Sequence, residues 1–486
     1  MYSLSRRDFL KGSAAIAAAA SLPPLLQQTT EAALPPNNGG PNDQLRVAVI
    51  GVRGRGRAHV GGFAGRNNCI VTHVCDCDSG VVGPAINSAA RAQGGRRPEF
   101  VQDLRRIMDN RDIDIVSIAT PNHWHALGAI WAMQNGKHVY VEKPVSHNVW
   151  EGRRIVEISR STNKLCQAGT QIRSASGARQ AIEYIHSGEL GRVRVARGLC
   201  YKPRGTIRTA GAQGGEIPET INYDLWCGPA PVQRPMRRIR LHYDWHWTWD
   251  YGNGDLGNQG IHQMDVARWA LNQNQLSNSV VSLGGRFGYE DDGETANTQM
   301  AVFEYPNNAQ LIFEVRGLRT GAYRDARIGN VIHCENGIMV FTSYSSAVAF
   351  NNDGEMIRRF SGGGDHFANF VQAVRANRRQ NLNGEILEGH LSSALCHLAN
   401  ISYRMGSDSR FSNQIAAFRD NEAAQDTFER MRSHLSDNNV PVNTASYKLG
   451  PTLEMNPETE RFTNNERANA QLTREYRRGF EVPARG

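Results

Sequence analysis

Lysine is scarce in this chain of 486 residues: only six of its 55 cationic side chains are Lys. A Lys at a chemically suggestive position therefore carries unusual weight. Cysteine is sparse as well, eight residues (69, 75, 77, 166, 200, 227, 334 and 396) with no C-x-x-C pair. That excludes a disulfide scaffold and the common zinc motifs. Cys75 and Cys77, flanking Asp76, read as small buried hydrophobes, with metal ligation the alternative. The net charge is +8, yet no block of five or six like charges occurs, which argues against a nucleic-acid partner. No apolar run approaches the ~20 residues of a stable membrane span. With 40% hydrophobic and 21% charged residues the chain can bury a sizeable core, and bulk disorder is excluded. At roughly 150 residues per domain, two or three domains are expected.

Ser5-Arg6-Arg7-Asp8-Phe9-Leu10-Lys11 precedes a short apolar run, Ala14 to Ala20, and small residues follow at Ala32-Ala33. A charged start, a weakly apolar middle and a small-residue cleavage site describe an export signal. The twin arginine marks the twin-arginine route, which delivers the protein to the periplasm or beyond and makes the export machinery a partner. Residues 1–33 are thus read as signal peptide and 34–43, rich in Pro, Asn and Gly, as a linker.

Leu45 to Ile50 is a short β-rich run ending at Gly51, followed by Gly54 and Gly56 with Arg53 and Arg55 between them. A helix over 57–65 and an apolar run from Ile70 to Cys75 lead to Asp76, twenty residues after Gly56. Strand, glycine turn, helix, strand and terminal acid make a dinucleotide fingerprint in its proper context. The glycines admit the pyrophosphate over a helix N-terminus. Asp76 would accept from the adenosine ribose and repel a 2′-phosphate, which favours NAD over NADP. The second glycine of G-x-G-x-x-G is replaced by Arg53, and Asp76 has a competing reading as a helix N-cap, although Asp78 and Ser79 are better placed for that. Further strands end at Thr120-Pro121-Asn122 and at Glu142-Lys143-Pro144, separated by a helix from Trp124 to Asn135. Alternating strands and helices predict an α/β fold with a doubly wound parallel sheet over 44–165, with ligands at the carboxyl strand ends.

Thr120-Pro121-x-x-x-His125, Gly136-Lys-His-Val-Tyr-Val-Glu142-Lys143-Pro144 and Gly169-Thr170-Gln171 resemble blocks of the Gfo/Idh/MocA oxidoreductases. Ile182–Gly191, Gly257–Trp269 and Leu398–Arg404 resemble its later blocks, so the likeness runs from about 45 to 412. It implies an N-terminal Rossmann domain and, over 166–412, a C-terminal α/β domain with a large, mostly antiparallel open sheet. That sheet implies a homo-oligomer, a dimer or tetramer. It further implies a cofactor site built from Gly51, Arg53, Gly54, Arg55, Gly56, Asp76, Thr120, Pro121, Asn122, His125, Glu142, Lys143 and Gln171. Lys143 maps onto the family's lysine beside nicotinamide and substrate, and His262 onto its catalytic histidine. Asn258 stands where the family has Asp, so an amide that can orient the ring but carries no charge replaces the carboxylate that would raise the His pKa; Asn258 and His262 would also contact the substrate. Lys143 has a structural alternative as partner of Glu142, and His262 as a core histidine. Arg173 and Tyr201 are substrate neighbours by family position.

Tyr243-Asp-Trp-His-Trp-Thr-Trp249-Asp-Tyr251 alternates aromatic and polar residues. If extended, it puts five rings on one face, either as a platform for a sugar, with Trp249 included, or as an ordinary buried strand. His123, His125, His242 and His246 lack partners at a recognised metal spacing, so no metal is expected. Residues 202–240 are an Arg/Gly/Pro-rich insertion read as a lid or subunit contact, and 413–486 as a helical extension (415–436) and tail. The chain is accordingly read as an exported, NAD-dependent oxidoreductase of CH–OH groups, acting on a sugar, sugar acid or cyclitol. Free NAD is scarce outside the cytoplasm, so the cofactor would be tightly held. The alternatives are an NAD-dependent glycosidase working by transient C3 oxidation and elimination, and a non-catalytic sugar- or nucleotide-binding protein.

Overall fold

The structure, a computed structural model, describes residues 43–211, 214–233, 240–463 and 465–484. The signal segment, and the linker as far as residue 42, lie outside the described residues. Six parallel strands, β1 (Leu45–Ile50), β2 (Cys69–Cys75), β3 (Glu99–Val101), β4 (Ile115–Ile118), β5 (His138–Val141) and β6 (Cys166–Ala168), are ordered β3-β2-β1-β4-β5-β6. The order reverses between β1 and β4, which opens a crevice at their carboxyl ends. β4 is buried at every position, the reason its sequence, Ile-Val-Ser-Ile, is continuous rather than alternating.

Helices α1 (Arg55–Phe63) and α2 (Val82–Ala92) cover one face of this sheet, and α3 (Asn122–Gln134) and α4 (Val149–Ser161) the other. Helix α3 buries residues all around its circumference, as a helix enclosed on every side does. Its outer side is closed by chain from far away: Trp124 Nε1 donates to Leu225 O at 2.8 Å, and the Phe480 ring meets Trp124 edge-on at 5.6 Å.

The second layer follows helix α5 (Ser176–His186). It is a mixed sheet of β7 (Val193–Tyr201), β8 (Ser279–Gly285), β9 (Thr298–Glu304), β10 (Gln310–Arg316), β11 (Ile328–Cys334), β12 (Gly337–Phe341), β13 (Ser346–Asn351) and β14 (Met356–Ser361). Two later strands, β15 (Ser407–Arg410) and β16 (Ser446–Leu449), extend it to the order β14-β13-β12-β11-β7-β10-β9-β8-β16-β15. β7 and β10 are parallel and the other neighbours antiparallel. Helices α5, α6 (Ile261–Ala270) and α8 (Ile386–Arg404) cover one face; α7 (His366–Ala376) instead returns to the first sheet, inserting Phe370, Val371 and Val374 beside α1.

The second face of the large sheet is not fully open. Helix α9 (Glu422–Asp437) lays Phe428, Met431 and Leu435 on Val281, Leu283, Met300, Val302 and Ile312. The region after residue 412 is therefore mixed, with α9 and strand β16 both built onto the sheet. Its last segment then crosses back to the first domain, where Phe480 and Val482 join the core under α3 and α4.

Glu151 holds this crossing. Asn148 caps α4, and Glu151 accepts from His147 N at 2.7 Å, Asn148 Nδ2 at 2.9 Å and the Tyr476 hydroxyl at 3.1 Å. Burial pushes its carboxyl up to about 7, from 4.5. Between those values the unfolded chain has released the proton and the folded chain retains it, so stability falls as pH rises. The loss across the window is on the order of 3 kcal/mol. Urea denaturation at pH 5 and pH 7 should show a flatter pH dependence in Glu151→Gln; an unaltered slope would reject Glu151 as its source.

Candidate active site

The crevice begins at the turn after β1. Gly51 has φ +78°, and a Cβ there would approach Ala119 O to 2.7 Å. Gly56, in the first turn of α1, lies closer still: its Cβ would be 1.7 Å from Gly51 O. No side chain fits at either position, and the backbone of α1 is pressed against the turn. Gly54 (φ +56°) caps α1, and a Cβ on it would meet nothing within 4 Å. Arg53 and Arg55 flank this cap, and the start of α1, where the helix dipole favours an anion, borders the crevice. Asp76, at the end of β2, accepts from Val52 N at 2.9 Å and Asp78 N at 3.0 Å. Asp78, not Asp76, caps the next turn by accepting from Gly80 N.

A cavity of about 340 Å³ runs from Asp76 and Cys77 past Gly51, Arg53, Gly54 and Arg55 to Thr120, Pro121, Asn122, His125, Glu142, Lys143 and Asn258. Its residues fit a dinucleotide: a side-chain-free turn, a helix start, a carboxylate at the end of β2, and the buried Thr120 hydroxyl, which has no protein partner among the described residues.

At the inner end the Glu142 carboxylate is buried and shared. Arg55 Nε donates to Oε1 at 2.7 Å, Gln171 Nε2 at 3.1 Å, and His59 Nε2 lies 3.1 Å away; Lys143 N donates to Oε2 at 3.2 Å. Burial pushes this carboxyl up, but the His59 hydrogen bond and the charges of Arg55, His59 and Lys143 reverse the effect and hold it well below the usual range. Lys143 turns away from it, and Nζ donates to Asn258 O at 2.8 Å. Burial lowers its pKa, Glu142 opposes that, and Arg55 and Lys202 add to the lowering. His262 lies about one turn beyond Asn258. Burial, then the Lys143 charge, holds it well below the ordinary imidazole range, so the ring is neutral. Its Nδ1 has no partner among the described residues, and Tyr344 stands with its ring 5.0 Å from it.

Other expected site residues lie elsewhere. Gln171 acts beneath the cavity, through Glu142 and the Tyr140 hydroxyl. His125 lines the cavity, but its nitrogens are engaged by Thr120 O and Pro144 O. Asn258 does not orient His262; its amide donates to Asp255 at 3.4 Å. Arg173 lies outside the cavity lining, buried in a two-point ion pair with Asp265 (2.8 and 2.9 Å) and also bonded to Glu388. Tyr201 is on the wrong face of the sheet, donating to Glu314 Oε2 at 2.6 Å, because side chains alternate along β7 and α6 packs on the other face. Trp249 lies under Arg404 and beside Tyr403, outside the cavity wall.

The aromatic run is not extended either. Leu241–Asp244 is helical and Trp245–Trp247 a 3₁₀ turn, and the chain folds back at Gly252, where a Cβ would come within 2.5 Å of Trp245 O and His246 O. The rings therefore scatter. Tyr243, Trp245 and His246, the last two stacked at 3.6 Å, line the cavity; Tyr251 is buried against His123 and Trp226. With Leu225, Trp226 and His242 they form an outer wall; the sequence singled out the run holding Tyr243, Trp245 and His246, but not Leu225, Trp226 or His242, as site residues. His242 is anchored to Asp78 at 2.8 Å. Also missed were Asp255, held by Arg204 at 2.7 Å, and the group Lys202, Gln259 and Tyr344. Lys202 alone carried a signal, as one of the few lysines.

Arg173→Met tests the reassignment. Stranding Asp265 should cost on the order of 3–5 kcal/mol by denaturant unfolding, while KM for any substrate stays within about twofold. A large KM change with unaltered stability would restore Arg173 to the substrate site.

Residues 45–170 match the oxidoreductase family's NAD-binding Rossmann fold and 193–436 its C-terminal alpha/beta domain; 3–23 match a twin-arginine translocation signal. Curated relatives include a "Glycosyl hydrolase family 109 protein" of Shewanella sp. (strain W3-18-1), 31% identical over 152 residues, covering 31% of this chain and 33% of the relative. One from Saccharopolyspora erythraea is 31% identical over 164 residues, covering 32% and 35%. The chain thus spans about a third of the length of these relatives. Among solved structures, the WlbA dehydrogenase from Bordetella pertussis in complex with NADH and UDP-GlcNAcA aligns at 20% identity, TM-score 0.54, over 74% of this chain and 97% of that one. Levoglucosan dehydrogenase with NADH and levoglucosan aligns at 20% identity, TM-score 0.55, over 73% and 97%. At such identities these likenesses establish the fold.

Proposed function

We propose that this chain, which belongs to the Gfo/Idh/MocA oxidoreductase family and carries a twin-arginine export signal, oxidises a secondary hydroxyl of a sugar, sugar acid or cyclitol with NAD held in the crevice above Gly51. The observation that carries the reading is the position of Lys143 Nζ, 2.8 Å from Asn258 O, at the inner end of a cavity whose other end is Asp76. Bound there, the nicotinamide would accept the hydride from the substrate carbon. The chain itself must take the hydroxyl proton. Lys143 Nζ, with its pKa lowered by burial, is one base. The other is Nδ1 of the neutral His262.

Retention of the cofactor is supported by the outer wall. Leu225, Trp226, His242, Tyr243 and Trp245 belong to the segment between β7 and α6, and they close the cavity from the second domain. These side chains would lie against a cofactor bound before export and slow its release. A second substrate would then restore its redox state in a ping-pong cycle. The expected homo-oligomer remains part of the proposal, with its contact outside the area that α9 covers.

The glycosidase is the second reading, favoured by the printed names of the curated relatives. It would use the same pair of bases, with transient oxidation at C3 acidifying the C2 proton and expelling the aglycone. Released aglycone without net NADH would support it over the dehydrogenase.

Denaturing the purified protein should release NAD, identified by mass; absence of nucleotide rejects the retained cofactor. Lys143→Met should lower kcat by about 10²–10⁴-fold with a folded, NAD-loaded enzyme. Unchanged turnover in that variant would remove Lys143 from the chemistry.

A further inference from the structure

Beside the catalytic corner stand three side chains from three different elements. Lys202 follows β7, Gln259 precedes α6, and Tyr344 rises from the turn between β12 and β13. Lys202 Nζ lies 3.3 Å from Gln259 Oε1, and Gln259 Nε2 lies 2.9 Å from the Tyr344 hydroxyl. The second Nε2 hydrogen points to Gln263 Oε1 at 3.4 Å.

The polarity of this chain is forced. An ammonium can only donate, so the Gln259 oxygen accepts from Lys202 and its amide nitrogen must face Tyr344. The Tyr344 oxygen therefore accepts, and its own hydrogen is left to donate outward. Lys202 keeps two further N–H groups. Neither residue has another hydrogen-bond acceptor, and Lys202 has no carboxylate within 4.0 Å, among the described residues. Both amide hydrogens of Gln259 are engaged by protein. The hydrogens left to the group are those of Lys202 and Tyr344, so it offers mainly donors.

The charge around it has the same sense. Lys143, Lys202, Arg55 and Arg204 are offset by two carboxylates, Glu142 and Asp255, both already engaged by arginines at 2.7 Å. Tyr344 is 37% exposed as a residue. It is also fixed to the reaction centre: its ring packs against His262, and Gln259 adjoins the residue whose carbonyl holds Lys143.

We infer that Lys202 and Tyr344, aligned by Gln259, form a carboxylate subsite, and that the substrate is a sugar acid rather than a neutral sugar or cyclitol. The inference rests on the oxidoreductase reading for the location of the reacting carbon, but not for the binding itself. Lys202 would ion-pair with the carboxylate and Tyr344 would donate to it, holding the sugar ring with its hydroxyl toward His262 and Lys143. A charge-assisted contact of this type is worth roughly 10–100-fold in affinity.

The test uses calorimetric titration of the NAD-loaded protein with glucuronate, galacturonate and mannuronate, each against its parent sugar. At least one acid should bind about tenfold or more tightly than its parent. Lys202→Met should collapse that ratio toward one, Lys202→Arg should retain part of it, and Tyr344→Phe should lower it by a smaller factor. Equal affinity for acids and parents, or no saturable binding of any acid, overturns the inference, as does an unchanged ratio in Lys202→Met. Because binding is read without turnover, an acid that binds but yields no NADH upholds the subsite while rejecting the dehydrogenase. NADH formation from parent sugars alone does the opposite.

Discussion

The site depends on one buried carboxylate. Glu142 lies beneath the crevice and accepts from Arg55 on the cradle helix, from Gln171 beyond the last strand of the first sheet and from the Lys143 amide, with His59 against it. An isolated carboxylate at that depth would be costly. Here the desolvation is offset by charge-assisted contacts from several elements at once, and each contact orients the element that supplies it. Even Gly169 is constrained by it, since a Cβ there would come within 2.8 Å of the carboxyl group. The same carboxylate frees Lys143 from a direct ion pair through Nζ, so the ammonium reaches across to Asn258 in the second domain.

The two sheets are tied together by returning chain rather than by a simple face-to-face contact. Helix α7 comes back to pack beside α1, the segment between β7 and α6 reaches over Trp124 and Asp78, and the tail inserts Phe480 and Val482 into the first core. Arg477 pairs with Asp224, so the tail also holds the segment that walls the cavity. These long-range ties bring chain from the second domain and the tail to the rim of the crevice, on a side where a Rossmann domain alone would face solvent. For an exported protein that is the consequential feature, because a cofactor lost outside the cytoplasm would not be replaced.

Much of the first domain was legible in the sequence. Gly51, Gly54, Gly56 and Asp76 act through backbone conformation and strand-end position, and both are local properties of a strand–turn–helix unit. The strand ends at Thr120 and Glu142-Lys143 followed from the same alternation. Tyr201 and the run from Tyr243 to Tyr251 were less accessible. Which face of β7 meets α6 depends on packing partners far away in sequence, and a shift of one residue reverses every side chain. The aromatic run has a strand-like period, yet Gly252 folds it into short turns, a tertiary override of a local pattern.

What the sequence alone determined is the chemistry available: a glycine turn with no room for side chains, an acid at the end of the next strand, and a lysine at a strand end in a chain with few lysines. Only the tertiary structure decided which groups share the space above that turn. It removed Arg173 to a buried ion pair, Tyr201 to the far face and Trp249 outside the cavity, brought Trp226 and Trp245 to the cavity wall, and set Lys202 and Tyr344 beside Gln259 and His262. The reason is physical. Backbone geometry at a turn is set by the residues within it, whereas the neighbours of a side chain are set by how distant elements pack, and that packing is a property of the whole chain.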